Sequence, residues 1–196
     1  MLLERCEPGA PLWDVADEDA ANRLAAGVLQ RLWRPPGAAS PFRPLAAVAS
    51  HWERELPRRY SRHGRPFGRR LLDEAVSLCG ELAGSQAELV VCHQDFHGGN
   101  VLAGGERGWL AIDPKPLVGE RAFDLASLLR DRRDALLSGP TPVRVVRRRL
   151  DLLSSELSLE RGRVRGWSIV HALAWGLTEE DVYLPNIACA ELLAAC

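Results

Sequence analysis

The sequence has little lysine, no cysteine pairs at metal-binding spacing and no long apolar run. Lys115 is the only lysine, and arginine supplies every other basic side chain. The five cysteines include no C-x-x-C spacing, which argues against a zinc knuckle and predicts reduced thiols. No run of 18 apolar residues and no signal-peptide pattern is found, so we expect a soluble, cytoplasmic protein that does not bind membranes.

An excess of charge is also missing. The formal net charge is −1 at pH 7 and the sequence pI is about 6.5. A protein that binds nucleic acid through its phosphates usually carries a basic surface, so we do not expect a nucleic-acid partner. With 196 residues, of which 46% are hydrophobic, the chain is long enough to bury the core of one domain.

Most of the sequence has helical periodicity. Apolar residues recur on one face of residues 17–32, and two further amphipathic segments cover residues 44–59 and 66–82. Helical patterns return after Gly119 and continue to the last residue. The only sheet signal lies in residues 88–112, where ELVVCH predicts a buried strand and NVLAGGERGWLAI predicts a hairpin around Gly-Gly. The sequence therefore predicts a mainly α fold with a small β hairpin.

Three oxygen-bearing side chains follow these predicted strands. Asp95 and Asn100 lie in the loop after the first strand, and Asp113 follows the hairpin, so the chain can bring all three to one point. Mg²⁺ prefers oxygen ligands and completes its shell with water and phosphate oxygens. In phosphoryl transfer a carboxylate takes the proton of the acceptor hydroxyl while metal ions offset the developing charge. Asp95 fits the first role, and Asn100 with Asp113 fits the second.

Two stretches around these residues resemble a known family. HQDFHGGNVL and WLAIDPKPLVGERAFDLA are similar to the aminoglycoside phosphotransferase superfamily, and within it to the branch of streptomycin 6-kinases and hydroxyurea-resistance kinases. The family pattern H-G-D-x-H-x-G-N, I-D-P-K-G, V-G-E and D-L-A is matched except at Gln94 and Pro116, where the family generally or often has glycine. The resemblance leaves the backbone angles at these two positions open.

The resemblance implies a protein-kinase-like C-terminal lobe without its N-terminal lobe. Residues 1–9 resemble the end of a strand and the hinge that holds adenine, with the backbone of Glu4, Arg5 and Cys6 as candidate contacts, and residues 10–196 correspond to the catalytic lobe. ATP is then the co-substrate and Mg²⁺ the cofactor. Because a misplaced phosphate can cost ~100-fold in rate, we expect weak or no kinase activity from this chain alone.

The resemblance also assigns supporting roles. His93 is expected to brace the loop through backbone hydrogen bonds, His97 to support the acceptor side, and Asp124 to brace the catalytic loop. Lys115 either contacts a phosphate or the acceptor or projects into water. The expected acceptor is an alcohol group of a cationic aminoglycoside such as streptomycin, and acidic side chains would select it by charge. The candidates for this selection are Glu179, Glu180 and Asp181.

Other interpretations of the same residues stay open. The chain could be a non-catalytic remnant or a module that only binds the acceptor. The H-x-D-x-H pattern of His93, Asp95 and His97 could instead hold zinc in a metallohydrolase, because alternate residues of an extended segment point the same way. Elsewhere, Trp167, His171, Ala174 and Trp175 follow helical spacing and predict core. The arginines at 144 and 147–149 predict a solvated helix face.

Overall fold

The computed structural model describes residues 5–196, and within them it has the mainly helical fold that the sequence predicts, with two small antiparallel sheets. The helices are α1 Glu18–Leu32, α2 Leu45–Arg62, α3 Arg69–Gly84, α4 Ala126–Leu129, α5 Arg133–Ser138, α6 Pro142–Glu156, α7 Arg161–Gly176 and α8 Leu184–Ala194. The strands are β1 Leu89–Cys92, β2 Val101–Ala103, β3 Trp109–Ala111 and β4 Leu117–Glu120.

The first helices begin and end close to the predicted residues, for local reasons. At the start of α1 the Asp17 carboxylate accepts hydrogen bonds from the backbone N–H groups of Asp19, at 2.9 Å, and Ala20, at 3.1 Å, which satisfies donors that the helix leaves free. Helix α2 continues three residues beyond the predicted end and stops at His63, just before Gly64, which has a φ of 71°. A residue with positive φ cannot continue a right-handed helix.

The sheets differ from the prediction in one respect. The β2–β3 hairpin forms as expected, with Val101 opposite Ala111. Strand β1 pairs with β4, with Cys92 opposite Leu117, although the sequence showed no sheet signal beyond residue 112. The LVGE segment is too short and too polar to have a strand pattern. Its backbone pairs because β1 supplies the partner, so β4 is a consequence of tertiary structure.

Helix α7 is the centre of the core. Trp167 and His171 have no exposed surface, and Ala174 is buried, so the predicted apolar stripe does pack inside. Trp175 is partly exposed and lines a cavity instead. Within residues 5–196 no helix combines the length and apolar character needed to cross a membrane.

The solvated face predicted for the arginine cluster is wrong at Arg149. This residue is 3% exposed, and its guanidinium donates to the carbonyl oxygens of Leu129, at 3.1 Å, and Asp131, at 2.8 Å. It also pairs with the Glu18 carboxylate at the start of α1. A guanidinium can be buried when its donors are satisfied in this way. Arg149 thereby connects α1, α6 and the segment after α4.

Candidate active site

The loop after β1 is held by one buried carboxylate, that of Asp124. Its two oxygens accept the backbone N–H groups of His93, at 2.9 Å, and Gln94, at 2.7 Å, and the indole N–H of Trp33, at 3.0 Å. Burial raises the pKa of Asp124, and the three N–H donors act in the opposite direction. Gln94 has a φ of 69°, a left-handed conformation that glycine adopts more easily. The Asp124 hydrogen bonds hold the loop in this conformation despite the glutamine side chain.

Backbone hydrogen bonds join this loop to the loop after the hairpin. The N–H of Ile112 donates to the carbonyl of Asn100 at 2.9 Å, and the N–H of Lys115 donates to the carbonyl of His93 at 3.0 Å. The His93 imidazole makes a third connection, through Nε2 to the Ile112 carbonyl at 2.9 Å. Asp113 therefore lies in a segment that is bonded on both sides to the Asp95 loop.

Asp95 lies between the side chains of Lys115 and His97. Its Oδ2 pairs with the Lys115 ammonium, and its Oδ1 lies 3.9 Å from Nε2 of His97. The Asp95 side chain is 15% exposed, so one part of it reaches solvent. The Lys115 Nζ also lies 5.4 Å from the centroid of the Trp175 ring. Lys115 therefore pairs with Asp95. The alternatives predicted from the sequence were a phosphate, the acceptor or water, and they did not include this ion pair.

Asn100 and Asp113 offer oxygen atoms suited to a hard cation. The Asn100 amide Nδ2 donates to the carbonyl of Asp95 at 3.0 Å, which leaves its Oδ1 as the free acceptor. Asp113 is exposed, has a φ of 54°, and its carboxylate has no ionic or hydrogen-bond partner in residues 5–196. An amide oxygen and a free carboxylate are the protein ligands that Mg²⁺ takes while it keeps water and phosphate oxygens. The residues present therefore fit magnesium.

The zinc site considered for His93, Asp95 and His97 is not formed. Across residues 5–196 there is no group of three His, Cys, Asp or Glu side chains that could hold a metal ion. The left-handed conformation of Gln94 interrupts the extended segment, so the two histidines do not alternate as strand residues would. His93 turns to the Ile112 carbonyl instead.

A cavity of about 620 Å³ opens beside Asp95, a size that is typical of small-molecule sites. Asp95 and His97 form part of its wall, and the remaining wall is built from residues far apart in sequence. The aromatic and charged lining residues besides Asp95 and His97 are Trp13, Trp175, Tyr183, Asp131, Asp134, Arg130, Arg132 and Arg133. The sequence contains no motif for these residues, because helices α5, α7 and α8 and the turn at Leu12–Asp14 bring them together only in the folded chain.

The acidic residues predicted to select the acceptor are not in the wall of this cavity. Glu179 pairs with Arg59, at 3.2 Å, and with Arg62, at 2.8 Å. Glu180 and Asp181 belong to the adjacent turn, where the Thr178 hydroxyl accepts both of their backbone N–H groups. The three residues thus lie at the end of α2 and are held there by arginine and threonine.

The predicted hinge is described in part. Glu4 lies outside the described residues, and Arg5 pairs with Glu7 at 3.4 Å. Just after Cys6 the chain runs along the hairpin, where Gly9 donates to the Ala103 carbonyl at 2.9 Å. The amino-terminal segment is therefore hydrogen-bonded to β2, next to the loop that carries Asn100.

Comparisons with known proteins place these features in a family. Residues 1–181 match the family described as aminoglycoside/hydroxyurea antibiotic resistance kinase. A streptomycin 6-kinase from Streptomyces glaucescens is 43% identical over 168 residues, which are 86% of this chain and 54% of that protein. A hydroxyurea phosphotransferase from Kitasatospora aureofaciens is 35% identical over 203 residues, which are 98% of this chain and 56% of that protein.

Solved structures share the fold at lower identity. An aminoglycoside phosphotransferase from Streptomyces rimosus, in complex with ADP and streptomycin, has a TM-score of 0.59 at 21% identity over 86% of this chain and 68% of that one. A choline kinase from Streptococcus pneumoniae has a TM-score of 0.60 at 15% identity over 98% and 69%. The chain spans little more than half of the length of the two sequence relatives above. On the match over residues 1–181, the chain belongs to the aminoglycoside/hydroxyurea antibiotic resistance kinase family.

Proposed function

We propose that this chain is the catalytic lobe of an ATP-dependent phosphotransferase, and that its acceptor is an alcohol group of a streptomycin-like aminoglycoside. The observation that carries the proposal is the position of Asp95. Its carboxylate lies in the wall of the 620 Å³ cavity and is bonded to Lys115, while its loop is joined to the one that carries Asp113. An acceptor in the cavity would meet this carboxylate, and hydrogen bonds join the Asp95 loop to the Asn100 amide and to the segment that carries Asp113.

Asp95 is the general base of the proposed reaction. It accepts the proton of the acceptor hydroxyl while that oxygen bonds to the terminal phosphorus of ATP and the bond to the bridging oxygen breaks. Lys115 holds the carboxylate through an ion pair, and the His97 ring lies beside it, with Nε2 at 3.9 Å from Oδ1. Asn100 and Asp113 would hold Mg²⁺, which supplies neutralisation of the charge on the phosphate oxygens.

Charge selects the acceptor in this proposal. Asp131 lines the cavity, but its oxygens already accept N–H donors from Trp13, Gly98 and Arg132. Asp134 also lines the cavity and is exposed. The same wall carries Arg130, Arg132 and Arg133, so we assign to Asp134, whose carboxylate has no ionic or hydrogen-bond partner in residues 5–196, a direct contact with an ammonium group of the acceptor, ahead of the predicted Glu179, which pairs with two arginines.

We further propose that the chain by itself transfers phosphate slowly. The related kinases are much longer than the segment they share with this chain, and a nucleotide bound by part of a site is poorly aligned. The sole lysine of the chain, Lys115, is paired with Asp95. Small errors of alignment can cost about 100-fold in the rate of transfer.

The test is a phosphorylation assay with the purified chain, ATP, Mg²⁺ and streptomycin, read by mass spectrometry of the acceptor. The streptomycin 6-kinase of S. glaucescens is the full-length reference. We expect phosphorylated streptomycin at less than a tenth of the reference turnover. A rate within tenfold of the reference would refute the slow transfer, and calorimetric binding of streptomycin without any transfer would favour the acceptor-binding module.

A further inference from the structure

The turn at Leu12–Asp14 places an indole directly on the catalytic loop. A Cβ atom at Gly98 would lie 2.6 Å from Cδ1 of Trp13, and a Cβ atom at Gly99 would lie 2.7 Å from its Cη2. Both distances are shorter than van der Waals contact allows. The Gly-Gly pair of HQDFHGGN is thus the surface on which the Trp13 ring lies, a contact that no local sequence pattern indicates.

Hydrogen bonds fix this indole although it is 46% exposed. Its Nε1–H donates to Oδ1 of Asp131 at 2.7 Å, and Oδ2 of Asp131 accepts the backbone N–H of Gly98 at 2.8 Å. The Arg132 guanidinium donates to the carbonyl oxygens of Trp13, at 2.7 Å, and Val15, at 2.9 Å. The Asp131 carboxylate therefore binds both the Trp13 indole and the backbone of the loop after β1.

The Trp13 indole also contacts the side chain of His97. The Trp13 and His97 rings are stacked, with centroids 5.5 Å apart and planes 14° from parallel. Nδ1 of His97 accepts the backbone N–H of Gly99 at 3.1 Å, so the neutral ring carries its proton on Nε2. That Nε2 is the atom 3.9 Å from Oδ1 of Asp95. Burial lowers the pKa of His97, in keeping with a neutral ring.

We propose that Trp13 is a positioning residue for the base: stacked on His97 and tied through Asp131 to Gly98, it keeps the Nε2–H of His97 directed to Asp95. The carboxylate then pairs with Lys115 on one side and has the Nε2 of His97 3.9 Å away on the other. This inference rests on the proposed function for its kinetic consequence. The tautomer of His97 is a property of the folded chain. It can be measured whether or not the chain transfers phosphate.

The experiment compares Trp13→Leu with Trp13→Phe in the 196-residue chain. Leucine removes both the stacking and the indole N–H, whereas phenylalanine keeps a ring over His97 and loses only the hydrogen bond. Leu24→Ala, which changes an exposed apolar residue of α1, is the control. Long-range ¹H–¹⁵N NMR spectra of the His97 ring report its tautomer directly, and kcat and KM for streptomycin are measured on the same proteins.

We expect the Nε2–H tautomer in the wild-type chain and in the Leu24→Ala control. Trp13→Leu should give a mixture of tautomers and a kcat at least tenfold lower, with KM changed less than threefold, and Trp13→Phe should recover part of both signals. An unchanged tautomer in Trp13→Leu would overturn the proposal. So would a rise in KM larger than the fall in kcat, which would make Trp13 an acceptor contact. A wild-type chain without any transfer would refute the proposed function, while the NMR comparison would still decide the role of Trp13.

Discussion

The carboxylate of Asp124 gives the most quantitative test of how the loop after β1 is held. It is completely buried and accepts three donors: the backbone N–H groups of His93 and Gln94 and the indole N–H of Trp33. Asp124→Ala leaves all three without an acceptor. Each buried donor left unpaired costs about 1–3 kcal/mol, and loss of the buried charge offsets part of this. We therefore expect a loss of about 3–5 kcal/mol, a large share of a typical stability.

Asp124→Asn separates the donors from one another. Oδ2 accepts from His93 and Trp33, and Oδ1 accepts from Gln94. A carboxamide oxygen in the Oδ2 position keeps two of these bonds, and its NH₂ group then meets the Gln94 N–H. With one unpaired donor the loss should be about 1–3 kcal/mol.

Urea unfolding followed by tryptophan fluorescence measures both variants, and Trp33 is itself one of the reporters. The slope of the transition should stay the same while the midpoint falls. A loss below 1 kcal/mol for Asp124→Ala, or equal losses for the two variants, would refute the assignment of these hydrogen bonds as the restraint on the loop.

Three further predictions concern residues around the site. Gln94→Gly should leave the free energy of unfolding in urea unchanged or raise it by up to about 1 kcal/mol, because φ is 69° at this position. Gln94→Val should lower it. The reverse order of the two variants would refute a backbone strain at residue 94. Glu120→Ala should cost about 3–5 kcal/mol in the same assay, because the 3% exposed carboxylate pairs with Arg163; an unchanged midpoint would contradict this. Burial lowers the pKa of His171 well below its usual value of 6.5. Below about pH 6.5 the unfolded chain therefore binds a proton that the folded chain does not, and the free energy of unfolding falls by at most ~1.4 kcal/mol per pH unit. His171→Leu should remove that part of the slope in unfolding measured from pH 7 to 5, and an equally steep loss would show that other groups cause it.

Helices and motif residues could be predicted from the sequence because their signals are local. Periodicity and breakers placed the ends of the first three helices within three residues of those observed. The pairing of β4 could not be predicted, since Leu117 takes its partner from Cys92 and LVGE has no strand pattern of its own. Arg149 was misassigned for the same reason, because its partner Glu18 lies 131 residues earlier in the chain.

In the candidate site, too, some residues could be predicted from the sequence and others could not. Asp95, Asn100 and Asp113 lie in short motifs whose chemistry can be recognised from residue type and spacing. The wall of the cavity comes from α5, α7, α8 and the first turn, and only packing brings these elements together. The contact of Trp13 with Asp131 spans 118 residues. Cavity residues therefore require the structure.

The most direct test of the account compares Asp95→Asn with the wild-type chain in single-turnover transfer of phosphate from ATP to streptomycin. The amide preserves the shape of the side chain but cannot accept the hydroxyl proton as a base. We predict a transfer rate about 10²–10⁴-fold lower, with an unchanged midpoint in urea unfolding. A variant that transfers phosphate within tenfold of the wild-type rate would contradict the role of Asp95 and the site built around it.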